Sequence, residues 1–213
     1  MKLNILTVFC CFCLLAVNSA TSAPETHSIK LPKPALNNDK SLLQALQNRQ
    51  SSRSFSNQSL PLATTSNLLW AAFGINRPDG KRTAPSAVNW QEIDIYVATA
   101  EGLYLFEAQT HSLTPILAKD IRSETGKQGF VKEAPLVLIF VANLSKMTGS
   151  KEDNTFYAAT DTGFISQNVY LYCASEELNT VVLGLVDKKN LRKVMGLAPH
   201  QKIILTQPVG YPK

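Results

Sequence analysis

Two guanidinium groups, Arg49 and Arg53, stand four residues apart in Arg49-Gln50-Ser51-Ser52-Arg53, with two hydroxyls between them. Arginine offers a fork of donors that matches phosphate oxygens, and serine adds neutral donors. The same residues also describe a solvated basic helix end. A second group is Arg82-Thr83-Ala84-Pro85-Ser86-Ala87-Val88-Asn89-Trp90-Gln91. Its proline and small residues fix a tight path, and Ser86 and Asn89 can hydrogen-bond a planar polar ring. It reads equally as a loop before a strand. A third runs from Asp161 through Gly163 to Gln167-Asn168-Val169, then resumes at Leu178-Asn179-Thr180-Val181-Val182-Leu183-Gly184. Gly163 permits close helix approach, in a dimer or in a domain core, and Gly184 leaves backbone groups open to a flat ligand. Helix, turn and strand alone account for this stretch too.

Other chemistry has little support. The chain has no G-x-G-x-x-G, no P-loop, no G-x-S-x-G and no metal-ligand spacing. Its three histidines, His27, His111 and His200, read as solvated surface residues, which disfavours a zinc site or a Ser-His-Asp hydrolase. Cys173 sits among apolar and aromatic neighbours and reads as a buried, inert thiol. Tyr96, Tyr157 and Tyr172 could each donate a proton or stack on a ring, but read first as packing residues.

These groups need elements to hold them. Leu42, Leu43 and Leu46 share one face of a helix beginning near Lys40. Pro61 opens a second helix that Gly74 ends. Asn76 to Asn89 is a long connecting loop. Glu92 to Thr99 and Gly102 to Glu107 alternate as strands around a turn at Glu101-Gly102. Residues 134–142 form a strand buried on both faces. Phe156 to Glu177 is a long central helix, Val181 to Leu185 a short apolar element, Lys188 to Met195 a short helix, and Lys202 to Val209 the last strand. Interspersed helices and strands place the fold in the α/β or α+β class.

The first 22 residues have the order of a secretory signal: Lys2, an apolar run from Leu3 to Val17, then small residues at Ser19 to Ala23. The run is shorter than the roughly 20 residues of a membrane span. Cys10, Cys11 and Cys13 lie inside it, so only Cys173 remains after cleavage and no internal disulfide can form. This suits a bacterial periplasm or the cell exterior. An uncleaved anchor is the competing reading. Residues 23–39 read as an extended tether and 40–213 as one domain. The whole chain has 213 residues, 45% apolar and 17% charged, which excludes wholesale disorder. Its net charge of +5, carried without a basic block, permits an anionic ligand and gives no sign of nucleic-acid binding.

In this order the three groups resemble the nitroreductase superfamily of FMN-dependent oxidoreductases. Arg49 to Arg53 is similar to its R-x-S-x-[RK] element, Pro85-Ser86-x-x-Asn89 to its P-S-x-x-N loop, and Gly210-Tyr211-Pro212 to its G-Y-P close. Arg82 to Ala87, the Glu92 strand and the Glu101-Gly102-Leu103-Tyr104 and Thr110-His111-Ser112-Leu113 segments resemble the azoline-dehydrogenase branch, without implying its substrate. The resemblance implies an α+β homodimer, with a mostly antiparallel central sheet, flanking helices and a long core helix. It implies that Arg49, Gln50, Ser51 and Arg53 grip the FMN phosphate and ribityl chain, and that Gln128 lies at the ring edge. Leu183 and Gly184 would lie near the reactive nitrogen, and Pro85, Ser86 and Asn89 would reach the partner subunit's flavin. NAD(P)H or another donor would supply hydride to a nitro, quinone or similar acceptor, with no catalytic side chain. A non-catalytic flavin-binding module is the alternative. The family commonly carries further basic residues beyond G-Y-P; here only Lys213 follows.

Overall fold

A computed structural model describes residues 27–37 and 39–213. The expected signal segment lies outside these residues. Among the described residues the architecture is α+β: one seven-stranded sheet, antiparallel at every pairing, with four α-helices. In chain order the elements are β1 (Ile29–Lys30), α1 (Leu42–Asn48), α2 (Leu62–Phe73), β2 (Ile93–Thr99), β3 (Leu103–Glu107), β4 (Ser112–Leu117), β5 (Leu136–Asn143), α3 (Lys151–Ser175), β6 (Asn179–Thr180), α4 (Lys188–Met195) and β7 (Gln201–Gly210). The sheet order is β1-β4-β3-β2-β5-β7-β6. No helix among the described residues is long and apolar enough to cross a membrane.

β5 organises the interior. Alternate residues of a strand face opposite sides. Leu136, Leu138, Phe140 and Ala142 join the cluster beneath α2 and α3, while Val137, Ile139 and Val141 join the cluster beneath α4. All seven of these side chains are buried, as the uninterrupted apolar run leads one to expect.

The helices follow local signals. Ser41 caps α1 and Gln44 closes a capping box with it. Pro61 precedes α2 and Gly74 ends it. α3 starts five residues before the apolar pattern suggests, because Ser150 caps it through the Asp153 N–H and the polar first turn carries Glu152 and Asp153. Its buried stripe is Ala158, Asp161, Thr162, Ile165, Ser166, Val169, Tyr170 and Cys173.

Four expectations are revised. The leucine face of α1 points outward, with Leu42, Leu43 and Leu46 all exposed and Ala45 turned inward. Gly163 is also exposed, with open space where a Cβ would stand, so it serves no helix contact within the chain. His111 is half-buried rather than solvated; its Nε2 lies 2.7 Å from Ser66 Oγ, whose hydroxyl donates to Pro32 O at 2.5 Å. The extended N-terminal stretch is docked: β1 pairs with β4, and Leu31 is buried.

One buried group makes stability depend on pH. Glu92 precedes β2, is fully buried, and neither carboxyl oxygen has a hydrogen-bond partner among the described residues. Burial, with the Asp161 carboxyl beside it, pushes its pKa from 4.5 up to about 7, against a smaller pull from Lys146. Between those values the folded chain binds more protons than the unfolded chain, so stability falls as pH rises through the window. The full loss is on the order of 3 kcal/mol. Denaturant titrations from pH 4.5 to 8 should record this decline. In Glu92→Gln, whose amide can donate to Asp161, the decline should disappear, leaving the variant more stable than the parent at pH 8. A flat profile in the parent would contradict the assignment.

Candidate functional site

Three chain segments meet at Tyr170, on the buried face of α3. Its hydroxyl lies 2.9 Å from Ser51 Oγ and accepts from the Val182 N–H at 2.9 Å. The Arg49 guanidinium stacks over its ring, 5.4 Å from the centroid. Further bonds fasten the same two stretches: Ser52 N–H donates to Thr180 O at 2.9 Å, and Asn179 Nδ2 to Ser54 O at 2.7 Å. The Arg49–Arg53 segment is thus held against residues 179–182. A cavity of about 570 Å³ opens beside it, with Arg49, Gln50, Tyr170, Thr180 and Pro212 in its wall. Arg53 is exposed and not part of that wall. Cys173 does reach the cavity lining but is 1% exposed, and burial raises its thiol pKa well above the ordinary value, which keeps it inert.

The next residues continue this surface. Leu183 N–H is committed to Thr206 O, while Gly184 is exposed and has room above its Cα. The loop carrying Gln128 packs on this stretch. Lys127 N–H donates to Leu185 O, and Gly126 stands so close to Gln128 Oε1 and Leu183 Cδ1 that a Cβ there would lie 3.1 Å from each. Gln128 Oε1 is buried and accepts no hydrogen bond among the described residues. A buried amide oxygen without a donor is costly, so this atom is suited to a ligand N–H.

The Pro85-Ser86-x-x-Asn89 loop lies elsewhere. Ala87 N–H donates to Asp161 Oδ2 at 2.8 Å. Asp161 precedes Tyr170 by nine residues on α3, roughly 13 Å along the axis. The loop is self-contained. Ser86 Oγ accepts from Gln91 N–H, Asn89 Oδ1 accepts from Gln91 Nε2, and Arg82 clamps the far side through Gln91 Oε1, Phe73 O and the Phe73 ring. The Ser86 O–H and the Asn89 amide N–H groups remain as donors. Val88, Asn89 and Gln91 all have positive φ. For the β-branched Val88 at φ 51° this is strained backbone, and its side chain is 84% exposed at the tip.

Two further expectations can be placed. Lys213 stands near Glu133 at 3.5 Å, a solvent-exposed pair. Tyr96 and Tyr172 pack as expected, their hydroxyls bonded to Gln201 Nε2 and Thr64 O, and Tyr157 lies edge-on to Trp90 and Phe156. Tyr170, the residue on which the site turns, carries no spacing signal. Its partners are 119 and 12 positions away, so only the fold joins them.

Residues 46–211 match the model of the nitroreductase family. A protein of Methanocaldococcus jannaschii named as a nitroreductase is 32% identical over 173 residues, covering 76% of this chain and 86% of its own length. A crystal structure from Ralstonia eutropha JMP134, also described as a nitroreductase, superposes with a TM-score of 0.84 at 41% identity, over 87% of this chain and 90% of that one. A more distant structure from Desulfovibrio desulfuricans, described as a nitroreductase in complex with FMN, shares the fold with a TM-score of 0.61 at 19% identity, over 82% and 87% of the two chains. The chain belongs to the nitroreductase family.

Proposed function

We propose that the protein is an exported, homodimeric FMN-dependent oxidoreductase. The observation that carries the flavin reading is the orphaned Gln128 amide oxygen, buried beside Leu183 on the surface that continues from Arg49 and Tyr170. A flavin ring edge presents the N–H that this oxygen lacks. When bound, FMN supplies hydride chemistry, between NAD(P)H or another reductant and a nitro, quinone or similar small acceptor.

The residues present fit the cofactor. Arg49, Gln50 and Ser51 bind the phosphate and ribityl chain, with Tyr170 orienting the first of them, and Arg53, outside the cavity wall, adds its charge to the phosphate from the solvent side. Val182 and Leu183 have committed their N–H groups, so Gly184 N–H is the donor for negative charge developing on the ring. Pro85, Ser86 and Asn89 belong to the second subunit's site, which their distance along α3 from Tyr170 favours. Supporting dimerisation, Phe156, Tyr157 and Phe164 on α3 are exposed, as are Leu42, Leu43 and Leu46 on α1. No side chain acts as a catalytic acid or base in this reading; the protein orients, desolvates and stabilises charge.

Purification tests the reading. A yellow protein that bleaches with NADPH or dithionite and recovers with a quinone or nitroarene supports an enzyme. Colour without turnover supports a non-catalytic flavin carrier, and a colourless protein that ignores added FMN overturns both. Fractionation checks export: the expected product is a periplasmic chain starting near residues 21–23, and a full-length cytoplasmic chain would refute it. Arg49→Ala with Arg53→Ala should weaken FMN binding by about 3 kcal/mol or more, at roughly 1.5–3 per charge-assisted bond. Tyr170→Phe should cost about 1–3 kcal/mol of stability by leaving Val182 N–H unpaired, and should weaken FMN binding measurably. FMN titrations and denaturation curves give both numbers; unchanged FMN affinity in either variant would remove that residue from the site.

A further inference from the structure

A second cavity, of about 690 Å³, lies between α4 and the start of β7 and shares no lining residue with the cavity beside Tyr170. Five cations border it: Lys188, Lys189, Arg192 and Lys193 on α4, and Lys202 on β7. None of them forms an ion pair among the described residues. The nearby carboxylates are engaged with uncharged groups. Asp187 accepts from the Asn190 N–H, and Glu124 from Asn190 Nδ2.

Helix polarity accounts for only half of this charge. Arg192 and Lys193 occupy the last turn of α4, where the helix dipole favours cations. Lys188 and Lys189 occupy the first turn, where it disfavours them, and like charges at i and i+4 repel along one face. Arg192 Nε is buried and has no acceptor among the described residues. Arginine stays charged at all relevant pH values, so this donor cannot relieve its burial by losing a proton. Lys188 gives one donor to Ile204 O at 2.6 Å, and burial together with the charge on Lys202 lowers its pKa. Leu197 and Ile203 supply an apolar floor. The volume falls within the range of small-molecule sites, about 300–1,000 Å³.

We propose that this cavity binds a small ligand carrying at least two anionic groups, phosphate or carboxylate, with an apolar portion against Leu197 and Ile203. The five cations, Arg192 with its unpaired Nε among them, select the charge, and the volume of the open cleft limits the size. The site is independent of the flavin reading.

Calorimetric titration of the full chain with inorganic pyrophosphate tests it, with and without added FMN. The expected result is saturable binding at one site per chain. Arg192→Gln with Lys193→Gln should weaken it at least tenfold, and so should Lys202→Glu on the other wall. Arg49→Ala with Arg53→Ala should leave it unchanged, which separates this cavity from the proposed FMN phosphate grip. Thermal melts of the variants establish that they remain folded. Absence of saturable heat overturns the proposal, as does parental affinity in the α4 and Lys202 variants, or loss of binding in the Arg49/Arg53 variant. Vesicles of phosphatidylglycerol distinguish a free ligand from a lipid headgroup. Vesicle binding that pyrophosphate displaces assigns the same cavity to a headgroup; vesicle binding with no pyrophosphate site overturns the cavity assignment in favour of a flat surface contact.

Discussion

A single phenol hydroxyl has to serve two neighbours at once. Tyr170 accepts the Val182 N–H and shares a proton with Ser51 Oγ, while its ring carries the Arg49 guanidinium. The basic arm and the stretch leading to Gly184 therefore move as one body with α3. That helix is fixed in turn by Ile165, Val169 and Cys173 against the sheet. Two and a half turns earlier, Asp161 holds the Ala87 amide. The same rigid rod thus sets where both polar loops can stand, and their separation is a matter of helical rise rather than loop flexibility.

The sheet explains why so long a helix can serve as this rod. β5 sends alternate side chains into two cores, one covered by α2 and α3, the other by α4 together with Phe55, Ile121 and Val131 from the connecting segments. β2 flanks it on one side with a continuous antiparallel ladder, and β7 on the other with one that shifts register between Phe140 and Val141. The elements that vary in regularity lie further out. β4 contains Pro115, and β6 has only two residues. The candidate site grows from this less regular rim, where backbone groups are free to meet a ligand.

What could be read from sequence divides along the same line. Wherever apolar periodicity or a capping residue is strong, as in β2, β3, β5, α2 and β7, the elements stand where expected. β4 leaves no strand signal because Pro115 interrupts its pattern, which an outer strand tolerates more readily than a central one. The burial of His111 has no local signal because it comes from Ser66 and Pro32, residues remote in the chain. In α1 the three leucines correctly mark a helix but not its inward face, since periodicity reports that a face exists and not what covers it. The arginine–serine cluster and the Gly184 stretch were legible as polar motifs, but their joining through Tyr170 was not. The buried Glu92–Asp161 neighbourhood was also invisible, because two acids 69 positions apart show no pattern until β2 and α3 are packed together.

The docking of β1 has a consequence for handling the molecule. β1 forms one edge of the sheet and β6, next to the Arg49 segment, forms the other. Six interstrand spacings separate them, roughly 29 Å. Ile29 stands at the edge remote from the cavity beside Tyr170. An N-terminal tag used to fix the protein to an electrode or bead would turn that cavity toward solution, whereas a tag following Lys213 would emerge near Pro212, in the cavity wall itself.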